Sequence, residues 1–139
     1  MLDLKDKKYM FSSNTPLMIV DEKIEEDRKE QIDNLIKELL TYKILLRDLV
    51  NKEITYTIKN ELLNIAMYIT DNYNIYTELL QKGELPVNKL VKELDKDSKY
   101  INTWRDYIIA YTIILGNPIY KLIQDYIQIS EYRTKTTLS

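Results

Sequence analysis

The sequence predicts an all-α fold, a compact bundle of about five helices with a buried central helix near 101–115. Three observations lead there. Two glycines and three prolines interrupt 139 residues, too few turn-formers for a sandwich or barrel. Apolar residues recur at spacings of three, four and seven over long stretches, the period of a helix with one buried face. Those stretches are rich in Leu, Lys and Glu, which lose little freedom in a helix.

At 45% hydrophobic and 30% charged, the chain has the balance of a folded protein, and its length suits one domain. The reading is an N-terminal arm (1–20), a single helical domain (21–131) and a polar C-terminal tail (132–139). The arm has no clean period. Tyr9-Met10-Phe11 and Leu17-Met18-Ile19-Val20 flank a loop by composition, Ser12–Pro16.

A helix is expected from Asp21, where Glu22, Glu25, Glu26 and Asp27 complement the dipole of the first turns. Ile32, Leu39 and Leu46 repeat at seven, as do Leu35, Tyr42 and Leu49. Neighbouring Ile36, Leu40, Ile44, Leu45 and Val50 widen this into the face of a bundle helix ending near Asn51. A second long helix over about 54–81 carries Ile58, Leu62, Ile65, Ile69, Tyr73, Tyr76 and Leu80, and pairs antiparallel with the first. Gly83 supplies a left-handed stop, and Leu85-Pro86 bars continuation.

A third helix covers Val87–Leu94. Asp97 or Ser98 caps a fourth, which carries Ile101, Trp104, Ile108, Ile109 and Leu115 and is apolar nearly all round from Tyr107. Gly116-Asn117-Pro118 ends it, read as a left-handed cap, an N-cap and the first residue of a fifth helix.

Much chemistry is excluded by counting. With no histidine and no cysteine, the commonest general base, the thiol nucleophile and the usual transition-metal ligands are gone. No glycine-rich loop can cradle a phosphate. We therefore expect no enzyme, no metal and no cofactor. Glu22, Glu25, Glu26 and Glu30, and the pair Asp95 and Asp97, read as a solvated helix start and a polar turn. The net charge is −2, but residues 81–105 carry six basic against four acidic side chains. The apolar run from Tyr107 is broken by Gly116-Asn117-Pro118 and is too short to span a membrane. A cytoplasmic location without membrane contact is expected. Abundant Ile, Lys, Asn and Tyr have AT-rich codons and suggest an AT-rich genome, a phage, plasmid or virus among the sources.

Two functional readings follow. The first is a non-enzymatic helical binding protein, an adaptor, inhibitor or regulatory partner of another protein. Its contact candidates are Tyr9, Phe11, Tyr100 and Trp104, aromatic side chains that bury area at low entropic cost. The heptads over 32–49 would also serve as the seam of a homodimer.

The alternative rests on Leu90, Leu94, Ile101 and Trp104, which fall on four apolar offsets of one motif. The stretch of about 87–106 resembles the helix-turn-helix of bacterial and phage DNA-binding proteins. The resemblance implies a DNA-binding transcriptional regulator whose second helix enters the major groove of duplex DNA. Ser98, Lys99, Asn102 and Thr103 would then face the duplex, Lys99 and Arg105 would hold phosphates, and Lys96 would lie nearby as a further contact. Three positions depart from the motif. Val91 stands where a small residue is usual, Asp95 where the turn glycine is usual, and Lys96 where an apolar residue is usual.

Overall fold

The computed structural model describes residues 15–125 and 127. Tyr9, Phe11 and the tail over 132–139 lie outside the described residues. The described chain is helical, with no strand. Its elements are α1 (Thr15–Leu40), α2 (Leu46–Val50), α3 (Tyr56–Asp71), α4 (Tyr73–Lys82), α5 (Val87–Leu94), α6 (Ser98–Thr103) and α7 (Arg105–Gly116). A 3₁₀ turn at Pro118–Tyr120 leads on into helical residues 121–125.

The all-α expectation stands, but the long helices are broken at three points. The first break follows α1, which starts at Thr15 rather than Asp21. Lys43 adopts a left-handed φ of 62°. The Ile44 N–H donates to the Leu39 carbonyl and the Lys43 N–H to the Leu40 carbonyl, the paired bonds of a Schellman ending. Ile44 and Leu39 are both fully buried, so the apolar contact of that motif outweighs the cost of a non-glycine left-handed residue.

The second break is Asn72, with φ −110° and ψ 98°. Its side-chain Nδ2 donates to the Tyr68 carbonyl at 2.8 Å, satisfying an end group of α3. The break re-aims the apolar face. Ile75 and Leu79 turn inward, while Tyr73, a member of the predicted stripe, is 76% exposed. The third break is Trp104, which divides the predicted central helix into α6 and α7.

The helix pairing also differs from expectation. The main partner of α3 is α7, not α1. From α3, Leu62, Ile65 and Ile69 meet Ile108, Ile109 and Ile113 of α7 in one buried core. Every residue from Tyr107 to Ile114 except Tyr111 is buried, as the all-round apolar pattern predicted. The one buried polar side chain there, Thr112, donates to the Ile108 carbonyl at 2.7 Å. α1 packs instead on α2 and on the Pro118–Tyr120 turn. Tyr120 is wholly buried and donates its hydroxyl to Glu38 of α1 at 2.5 Å.

Gly83 is the left-handed stop of α4, with φ 70°. Gly116 is not one; the Asn117 that follows is extended. A Cβ on Gly116 would lie 2.5 Å from the Tyr76 hydroxyl oxygen, and that hydroxyl donates to the Gly116 carbonyl at 3.1 Å. Glycine is needed here for close approach between α4 and α7 rather than for backbone freedom.

Candidate nucleic-acid interface

α5 and α6 form a two-helix unit joined by Asp95-Lys96-Asp97. α5 runs Val87–Leu94, the predicted bounds. The turn is made by Asp95, with φ 57° and ψ 40°. This is the conformation that the glycine of a helix-turn-helix supplies. Aspartate is among the few residues that visit it routinely, because its short polar side chain can bond locally. Asp97 then caps α6, its Oδ1 accepting the Tyr100 N–H at 2.7 Å.

The two helices are held together by Leu90 and Ile101, both with no exposed surface. Val91, Leu94 and Trp104 pack around them, partly buried. Val91, which stands where the motif has a small residue, is only partly buried here. Lys96 is half-buried. Its ammonium lies 3.6 Å from Glu61 of α3 and 5.0 Å from the centre of the Tyr100 ring. Its stem covers apolar surface while its charge stays paired, so a lysine stands where the motif has an apolar residue.

Glu61 also accepts a short hydrogen bond from the Tyr100 hydroxyl. Burial, that hydrogen bond and the carboxylate's charge together raise the Tyr100 phenol well above its ordinary pKa. Further along α3, the Tyr68 hydroxyl donates to Glu93 of α5 at 3.4 Å. α3 thus grips both helices of the unit through polar side chains. Glu61 lies outside the motif and makes its contacts 35 or more residues away in sequence, and no spacing rule points to it.

The outward side of α6 presents Ser98, Lys99, Asn102 and Thr103, all exposed. Their spacing of one, three and one puts them on a single helical face. Lys99, and Lys92 on α5, form no ion pair with any described residue. Arg105 is half-buried, and its guanidinium bonds Asp106 at 2.6 Å. Lys89 is paired with Glu78 at 3.0 Å. Of the six DNA-contact candidates, the structure therefore brings Ser98, Lys99, Asn102 and Thr103 to one open face and engages Lys96 and Arg105 with neighbouring acids.

The protein-contact candidates lie elsewhere in the network. Tyr100 is half-buried against Glu61. Trp104 is half-buried, edge-on to Tyr107 at 5.7 Å between ring centres, with the Lys52 ammonium 5.2 Å from its own. A different apolar surface is exposed instead: Ile36, Leu40, Leu45 and Val50, on and between α1 and α2.

No protein-family model matches the chain. Among curated proteins it is similar to RNA polymerase sigma factors. It is 34% identical to RNA polymerase sigma factor SigI2 of Acetivibrio thermocellus over 73 residues, which are 52% of this chain and 27% of that protein. It is 31% identical to SigI3 of the same organism over 101 residues, 72% of this chain and 40% of that protein. With SigI of Bacillus subtilis it shares 29% identity over 106 residues, 75% of this chain and 41% of that protein. The chain thus spans less than half the length of these relatives. The similarity favours the DNA-binding regulator over the protein-binding module as the leading reading. It lends nothing to a phage or viral source, nor to a homodimer. Among the described residues, no helix is long and apolar enough to cross a membrane.

Proposed function

We propose that this chain is a non-enzymatic, cytoplasmic DNA-binding module of a transcriptional regulator, which sets α6 in the major groove of duplex DNA. The observation that carries the reading is the left-handed Asp95 turn, which joins two short helices over a shared Leu90–Ile101 core and leaves four polar side chains on one open face. Asn102, Ser98 and Thr103 offer donors and acceptors to base edges, and Lys99 offers a charge to a phosphate. Arg105 exchanges Asp106 for a phosphate on binding. Similarity to proteins named RNA polymerase sigma factors supports a role in transcription.

The test is fluorescence anisotropy of labelled random duplex DNA at low and near-physiological salt. Binding that weakens steeply with salt and falls on Lys99→Ala with Arg105→Ala is expected. No binding at low salt would sink the reading, because even non-specific contacts hold there.

One observation favours protein contact as a second activity. The exposed Ile36, Leu40, Leu45 and Val50 line one apolar groove along α1 and α2. The relatives' name makes RNA polymerase the partner to try first. Under this reading Leu40→Glu with Val50→Glu abolishes co-sedimentation with the polymerase and leaves duplex binding intact.

A further inference from the structure

Between α1, α2 and α7 lies a groove of about 630 Å³, within the range of roughly 300–1,000 Å³ typical of small-molecule sites. Leu35, Ile54, Ile114 and Leu122 are among its walls. Its charged lining residues, among those described, are Arg28, Lys52 and Lys59, all basic. Among the described residues, the lining holds no Ser, Thr, Asn or Gln. The Tyr107 hydroxyl, which also lines it, is already donating to the Leu49 carbonyl at 2.5 Å. An extended peptide would leave its backbone amides unpaired against such walls, at a cost comparable to lost hydrogen bonds. An occupant that suits both features has a hydrocarbon body and one anionic head.

The groove also touches the DNA-facing unit. Lys52 and Tyr107 line it, and both contact Trp104, the residue that ends α6. An anion in the groove draws the Lys52 ammonium toward itself and away from the indole face, removing a cation–π contact. We infer that this groove binds a monomeric single-chain anionic amphiphile, of the long-chain carboxylate class, and that its head group acts through Lys52 on Trp104 and so on α6. The binding site stands without the DNA reading; the effect on α6 rests on it.

Trp104 is the chain's one tryptophan, so it reports directly. The experiment titrates the full chain with decanoate below its micelle concentration, following Trp104 fluorescence and, independently, binding heat by calorimetry. Decanoate is expected to bind saturably and decyltrimethylammonium not to. Hexanoate, shorter by four methylenes, binds about 250-fold more weakly, since each methylene is worth about fourfold. Arg28→Glu with Lys52→Glu, both at exposed sites, lowers decanoate affinity at least tenfold in the calorimeter, with unchanged circular dichroism. Equal binding of the two head groups, non-saturable binding, or an unchanged affinity in the double variant overturns the site. Binding to anionic phospholipid vesicles with none to monomeric decanoate overturns it as well. A second arm measures duplex affinity with and without saturating decanoate. If decanoate binds and duplex affinity does not move, the coupling is wrong and the site stands. If no duplex binds at all, the failure lies with the DNA reading, and the first arm still decides the site.

Discussion

Tyr100 of α6 donates its hydroxyl to Glu61 of α3, a carboxylate that also lies 3.6 Å from the Lys96 ammonium in the turn before α6. One acidic side chain therefore sets the position of both the turn and the second helix of the α5–α6 unit. Glu61→Ala is expected to lower unfolding stability by about 1 kcal/mol, less than the roughly 1.5–3 kcal/mol of a hydrogen bond to a charged group because Glu61 is partly exposed to solvent. Tyr100→Phe should cost a similar amount, and the double variant should cost less than the sum. Chemical denaturation of the four proteins checks this. Strict additivity would show that the Tyr100–Glu61 contact carries no coupling.

The turn itself is testable at Asp95. A left-handed residue costs an L-amino acid about 1–2 kcal/mol, and glycine avoids that cost. Asp95→Gly should leave stability equal or raise it by up to about 1 kcal/mol, with duplex binding retained. Asp95→Val, β-branched in the same conformation, should destabilise by about 1–2 kcal/mol. Thermal melts followed by circular dichroism decide the matter. A stable Asp95→Val protein would mean that the turn does not need φ near 57°.

The face of α6 makes separable predictions for its charged and its amide side chains. Lys99→Ala should weaken binding to all duplexes alike and reduce the salt slope by about one ion, since a phosphate contact carries no sequence information. Asn102→Ala should leave binding to random DNA nearly unchanged. On a selected preferred sequence it should cost about 1–3 kcal/mol, the worth of a bidentate base contact. The measurement is a salt-dependent titration of each variant against random and selected duplexes. An Asn102→Ala effect equal on both would remove base reading from this residue.

Tyr120 and Tyr111 predict an alkaline limit. Burial first, then the Glu38 hydrogen bond and charge, raise the Tyr120 phenol above its usual 10.0. Burial, with Tyr107 nearby, pushes Tyr111 up to about 12. A phenol whose folded pKa is raised holds its proton more tightly when folded, so its contribution is fully present below pH 10.0. That contribution is lost as pH climbs from there through about 12. Urea unfolding between pH 8 and 11 should show stability flat to about pH 10 and falling above it. Tyr120→Phe should shallow the fall. A slope unchanged in that variant would remove Tyr120 from the account.

Much of the fold and part of the site could be read from local sequence. Val87–Leu94, the Gly83 stop, the Asp97 cap and the all-round apolar segment from Tyr107 depend on residues within a few positions of one another. Propensity, capping and period act at that range, so the all-α class and the four exposed side chains of α6 were determined by the sequence itself. The breaks at Lys43, Asn72 and Trp104 were not, because a continuous helix and a broken one share the same apolar spacing until a core is present to choose between them. Burying Ile44 with Leu39, and Ile75 with Leu79, makes that choice. The same holds for Gly116, whose place as a cap looked sufficient until Tyr76 came across from α4. It holds for Lys96, whose misfit within the motif is resolved by a glutamate on another helix. These last two contacts join residues 40 and 35 positions apart, and only packing in three dimensions brings such residues together.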